Sequence, residues 1–343
     1  MQDFKAKAYI DLSAIIHNAR QIKKACSPAK FCAVVKADAY GHGMVEVAHA
    51  IKGLTDYFAV GTVGEGVLLR QSGITNPILC LLPDFDLHRA QFYNLDITIA
   101  SYSHAREIAR YASESGKRLN VHLAINTGMN RFGVDNFGEI NGVLRLINNS
   151  DLNLIGAYSH FYNVQSKRCN NAQLKSFLSA CTLVKQNYKN ALFHISSGGG
   201  LAYGDKYKLD MVRVGLMLYG YKSVSCGLKL KRAMTLRGDK FLTRELKRGS
   251  SLLYGDFKLG QNEVVKIMPF GYVNGLIGGL NGQLNRCAMN VCAVKNSKSN
   301  LLLNNAQRVA KQNSTICYEV LTSVGMNNPR VYFYGDKHEN NFG

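Results

Sequence analysis

The stretch AVVKADAYGHG, Ala33 to Gly43, sets one lysine at the end of an apolar run and follows it with a glycine-flanked histidine. Phe31-Cys32-Ala33-Val34-Val35 is short, rich in β-branched residues and bounded by turn chemistry, which predicts a strand buried on both faces. Tyr40-Gly41-His42-Gly43 supplies a turn, and Met44 to Ile51, apolar at Met44, Val45, Val47, Ala48 and Ile51, opens a helix. In a barrel of parallel strands the C-terminal strand ends carry the chemistry, which would make Lys36 a candidate nucleophile. A lone lysine at a strand end is more often a solvated charge, and the rest of the chain has to decide between the two.

Outward from Lys36 the order alternates. YFAVGTV (Tyr57 to Val63), the helical EGVLLRQSG, and the strand PILCLLP (Pro77 to Pro83) come first. LDITIAS, LNVHLAINTG, LNLIGAYSHF, ALFHISSGGG and DMVRVGLMLYG continue the series, with amphipathic helices such as Ser103 to Ser115 and Ala172 to Asn187 between them. Strands alternating with helices imply βαβ units and a parallel sheet, and seven or eight such strands close most naturally into a (β/α)8 TIM barrel. Beyond residue 222 the pattern changes to MTLRGDKFLT, NEVVKIMPFGYVNG, RCAMNVCAVKNS and RVYFYG, strand-like with short turns and little helix. The expected organisation is an α/β barrel over 1–222, its first residues joining the other domain, and a mainly-β domain over 223–343. NSKSN, Asn296 to Asn300, reads as a loop tip, and the polar ending GDKHENNFG is expected to fray.

Composition narrows the function classes. A chain of 343 residues suits a barrel of about 250 residues plus a smaller partner domain. Its 46% hydrophobic content excludes wholesale disorder. No apolar run approaches the roughly 18 residues that a membrane helix needs. The start MQDFKAKAYIDLSA lacks the continuous apolar core of a signal peptide, and nine scattered cysteines without CxxC pairing fit a reducing, cytoplasmic setting with no metal site. The net charge of +19 raises nucleic acid as a partner. Yet the densest basic segment, Lys229 to Gly249, alternates its charges with Met234, Leu236, Phe241 and Leu242, as the exposed side of strands does. It carries no aromatic cluster on which bases could stack, so no specific nucleic-acid partner is expected.

The ordered series VVKADAYGHG, INTGMNRFG, YSHF, MVRVGLMLYG, LLYGDF, PFGYVNG and RCAMNV resembles the alanine racemase family, from about Lys7 to Tyr332. The resemblance implies pyridoxal 5'-phosphate as cofactor, a small amino acid as substrate, and a homodimer with shared active sites. It makes Lys36 the residue that carries the cofactor on its amine and acts as one base. Tyr254, in LLYGDF, matches the opposing base, which reaches the site from the second subunit. Two bases are required because one that only retrieves its own proton returns the same enantiomer. The resemblance also places Arg213 beside the pyridine nitrogen and His160 next to that arginine. Tyr40, Ser197, Gly198, Gly215 and Leu216 fall at the phosphate, Arg131 near the substrate carboxylate, and Tyr272 and Met289 at the entrance.

Several positions depart from the family pattern. Asn126, Asn274 and Asn290 stand where many members have aspartate, Gly198 where a phosphate-binding serine is common, and Met326 near a tyrosine position. Ala124 replaces a lysine that some members modify to a carbamate. Three alternatives remain open at this point. One is a broader racemase acting also on serine. Another is a related decarboxylase using Cys287 or Cys292, and the last is a cofactor-binding relic whose basic surface binds a polyanion.

Overall fold

The computed structural model describes residues 6–238, 242–254, 258–275, 284–295 and 301–335. The loop tip expected at 296–300 and the polar ending 336–343 lie outside the described residues, as does the side chain of Cys287. The chain divides into two compact units. One comprises Ile16–Lys36 and Val45–Leu230, the other Met1–Ile15, Ala37–Met44 and Lys231–Gly343.

Strand β1 (Lys7–Asp11) comes first, followed by the helix Leu12–Cys26. The next eight strands build the barrel: β2 (Lys30–Val34), β3 (Tyr57–Val60), β4 (Ile78–Cys80), β5 (Asp96–Ile99), β6 (Leu119–Ala124), β7 (Leu152–Tyr158), β8 (Leu192–His194) and β9 (Met211–Val214). They form one parallel sheet in the order β8-β7-β6-β5-β4-β3-β2-β9. The ring closes between its ends, where Asp210 N–H donates to Phe193 O at 3.0 Å and Arg213 N–H to Ser196 O at 3.1 Å. Strands β3, β4, β5 and β9 are buried at every residue, because helices cover one face and the barrel interior the other. Polar caps start the helices that follow the strands. The Thr62 hydroxyl accepts from Glu65 N–H while Glu65 accepts from Thr62 N–H, and Asp86, Ser101, Asn136 and Ser166 each cap a further helix.

The second unit holds two four-stranded sheets. In one, β1 lies between β10 (Met234–Arg237), antiparallel, and β16 (Arg330–Phe333), parallel, with β15 (Leu301–Leu303) beyond β10. The other is antiparallel, in the order β11 (Leu242–Leu246), β12 (Glu263–Met268), β14 (Cys292–Lys295), β13 (Leu284–Cys287). Its core is small: Leu252, Leu259, Val265 and Ala293, flanked by Leu246, Leu253 and Ile267. This unit is richer in helix than the sequence pattern suggests. Asn305 accepts from Arg308 N–H to start Ala306–Gln312, and a second helix runs over Cys317–Met326.

Candidate active site

Strand β2 ends at Val34, Val35 N–H still reaches Ala59 O at 2.9 Å, and Lys36 comes next. Lys36 is half-buried, at the barrel end where the strands finish. Burial first, and then the positive charge of Arg131, hold its amine below the usual lysine range, while Glu65 acts in the opposite direction. Glu65 is fixed by accepting Gly61 N–H at 2.6 Å, and a Cβ on Gly61 would press on the same carboxylate at 3.0 Å.

Strand β9 pairs with β2, setting Cys32 opposite Arg213. The Arg213 guanidinium is buried, and both terminal nitrogens are engaged by protein. Nη1 donates to His194 Nδ1 at 2.5 Å and His194 O at 3.1 Å; Nη2 donates to Ser159 O at 2.6 Å and lies 3.2 Å from His160 Nδ1. Burial lowers the Arg213 pKa to about 10, and it remains a cation at neutral pH. Burial and the charges of Arg213, Arg131 and Lys36 push His160 down to about 3, so that ring is neutral. The structure therefore brings Lys36, Arg213 and His160 into one unit, as it does Ser197, Gly198, Gly215 and Leu216. Sequence reading missed His194, His122 and Asp96, which lie on strands behind Arg213.

Ser197 and Gly215 each precede a short 3-10 turn, Gly198–Tyr203 and Leu216–Tyr219, after β8 and β9. The first backbone N–H groups of such turns have no acceptor within the turn, which suits an anion. The glycine run SSGGG is packed, not slack. A Cβ on Gly198 would meet Met217 Sδ at 2.6 Å, one on Gly199 Val164 Cγ2 at 2.8 Å, and one on Gly200 Ser196 Oγ at 2.3 Å.

In the other unit, the turn after Lys36 begins earlier than the glycines suggest. Ala37, Asp38, Ala39 and Tyr40 all take left-handed backbone, with φ of 52°, 51°, 55° and 53°. Asp38 holds this turn twice over, accepting Met44 N–H at 2.7 Å and pairing with Arg330. The Tyr40 ring lies 5.3 Å from that of Tyr318, and Gly41 abuts Gly325 so closely that a Cβ on either would collide with backbone. The segments carrying Tyr272 and Met289 are paired by backbone: Tyr272 N–H donates to Ala288 O and Val273 N–H to Met289 O, both at 3.2 Å, and the Tyr272 and Met289 side chains are exposed. Tyr254 is 77% exposed, and Met326 is exposed at the end of its helix.

A family model described as the alanine racemase N-terminal domain matches residues 10–223. The chain belongs to the alanine racemase family. An alanine racemase of Desulforamulus reducens is 32% identical, with 95% of this chain and 98% of the relative covered. The solved alanine racemase of Clostridium difficile 630 superposes with a TM-score of 0.91 at 28% identity, covering 98% of each chain. The alanine racemase of Bartonella henselae, solved with covalently bound pyridoxal phosphate, shares the fold at a TM-score of 0.85 and 23% identity, covering 96% of this chain and 99% of that one.

Set against the alanine racemase pattern, two departures have local causes. Asn126 donates from Nδ2 to Asp135 Oδ1 at 2.6 Å and accepts Gly128 and Asn130 N–H at 3.0 Å, ordering the loop that carries the exposed Arg131. An aspartate could not donate to Asp135. Met217 fills the space a serine at position 198 would need. Ala124 is buried at the end of β6, and Asn274 accepts Gly271 N–H at 3.0 Å, as an aspartate would. Cys292 is fully buried within β14, which removes it as the catalytic cysteine of a decarboxylase. Among the described residues no helix is long and apolar enough to cross a membrane.

Proposed function

We propose that this chain interconverts L-alanine and D-alanine with pyridoxal 5'-phosphate, by a two-base mechanism in a cytoplasmic homodimer, supplying D-alanine for peptidoglycan. On this reading the barrel spans about 1–222 and the β domain 223–343. The observation that carries it is the placement of Lys36, with its depressed amine pKa, after β2 while the neighbouring β9 holds a buried cationic Arg213. The residues present fit the cofactor. Lys36 offers an amine for its aldehyde, the packed turns after Ser197 and Gly215 offer N–H groups to its phosphate, and Arg213 offers a fixed donor to its ring nitrogen; Tyr40 is assigned to the phosphate by the family pattern alone.

Bound there, pyridoxal phosphate supplies a conjugated ring that takes up electron density as the Cα–H bond breaks. Lys36 Nζ, its pKa lowered by burial and by Arg131, takes or returns the proton on one face of Cα. Tyr254 Oη of the second subunit does so on the other face, its strong exposure leaving it available to a neighbouring copy. Arg131 receives the substrate carboxylate, a planar fork suited to two parallel bonds. Tyr272 and Met289 border the entrance. His160, uncharged, adds no second positive charge beside Arg213.

The test is solvent deuterium entering Cα of each alanine enantiomer, with pyridoxal phosphate added. Exchange with inversion is expected, abolished in Lys36→Ala and reduced from one enantiomer only in Tyr254→Phe. No exchange from either enantiomer would refute the alanine assignment, and faster turnover of serine would favour the broader racemase.

A further inference from the structure

We propose that Asp96 is a positioning residue for Arg213, acting through a series of buried groups in which Arg213 donates to His194, His194 donates to His122, and His122 Nε2 faces the Asp96 carboxylate inside the barrel. It rests on the role proposed above for Arg213. A guanidinium only donates, so His194 Nδ1, 2.5 Å from Nη1, must be the acceptor, and its proton sits on Nε2. That N–H faces His122 Nδ1 at 3.0 Å, which fixes the proton of His122 on its own Nε2. His122 Nε2 makes no hydrogen bond among the described residues and lies 3.6 Å from Asp96 Oδ2, a polar contact longer than a hydrogen bond, while the same carboxylate accepts the Tyr57 hydroxyl. The order of these two hydrogen bonds admits no reversal, because the guanidinium can only give.

All four groups are buried, with Arg213 and Asp96 each 4% exposed and both histidines fully enclosed. The groups whose charge acts most on Arg213 are Tyr158, stacked on His194, with Cys32 and Arg131, none of them an anion at neutral pH. Burial and the charge of Arg213 hold His194 well below the usual histidine range, which keeps it an uncharged link. A buried cation needs compensation, and on this proposal Asp96 provides it at a distance through the two imidazoles. The consequence at the site is directional. With Nη1 and Nη2 committed to the protein, Arg213 Nε–H is the donor left for a ring nitrogen.

The first measurement is 15N NMR of the histidine-labelled full chain without cofactor, between pH 6 and 9. Neutral Nε2–H forms of both His122 and His194 are expected; an Nδ1–H form or a charged ring at either position overturns the chain of bonds. With pyridoxal phosphate added, Asp96→Asn and His122→Asn should each lower kcat on L-alanine about tenfold with KM within twofold. The double variant should lose no more than either single one, because both break the same chain. Wild-type kcat in Asp96→Asn, or additive losses in the double variant, overturns the proposal. If Asp96→Asn fails to fold, the tautomers decide. A wild-type chain that does not racemise alanine refutes the proposed function instead, with the histidine spectra still judging the relay.

Discussion

Gly156 shows at the scale of one residue how tightly the barrel interior is set. A methyl group there would lie 2.4 Å from Leu192 O and 2.9 Å from His122 Nδ1, between a neighbouring strand and the relay histidine. Neither neighbour can retreat, so Gly156→Ala should destabilise the chain by about 3 kcal/mol, the upper end for overpacking. Gly53→Ala, with nothing within 4 Å, should move the denaturant midpoint by less than about 0.5 kcal/mol equivalent. Equal midpoints for the two variants would contradict this. Lys36 and Arg213 stand out in the sequence because each sits within a short motif of recognisable order. Asp96 and His122 were not, since inside LDITIAS and LNVHLAINTG they read as ordinary strand residues. Only the β5 to β9 strand order brings His122 to a partner 72 positions away.

At the scale of elements, the left-handed turn Ala37–Tyr40 and the helix Cys317–Met326 depend on each other. Left-handed backbone costs a non-glycine residue roughly 1–2 kcal/mol, and four in succession need external support. Arg330 on Asp38 and the contact of Gly41 with Gly325 supply it. Alanine is the better helix former by about 1 kcal/mol, so Gly325→Ala would stabilise an isolated helix. Here its Cβ would sit 2.0 Å from Gly41 O, and the clash wins. Thermal unfolding of Gly325→Ala should show a loss of about 2 kcal/mol or more; a gain would mean the contact is looser than described. The glycines of YGHG announced a turn in the sequence. Its left-handed start could not be foreseen, because Ala37 and Ala39 carry no preference for that backbone. The helices at Ala306 and Cys317 were missed because both are short and their starts are capped by a single asparagine or by no side chain.

For the whole molecule, the βαβ alternation made the barrel legible, since its strands are buried on both faces and read as unbroken apolar runs. The partnership of β1 with β10 and β16 rests on contacts far apart in the chain, which local patterns do not encode. Buried neutral histidines should make the fold sensitive to acid. His42 is fully buried and held down to about 4 mainly by that burial, against backbone acceptors at Ala39 and Tyr40 that raise it. The unfolded chain binds this proton below about pH 6.5, and the folded one only near pH 4. Stability is therefore fully present above pH 6.5 and falls by about 3 kcal/mol as pH drops to 4. Urea midpoints at pH 7.5 and 4.5 should show this fall, and His42→Gln should reduce it. The Asp38–Arg330 clamp also bears on how the protein is made. Its two halves are 292 positions apart, so on the ribosome the backbone beside Lys36 must wait for almost the entire polypeptide to emerge. The segment from Ala37 to Met44 is thus among the last to take its final shape in a newborn chain, although it is synthesised among the first.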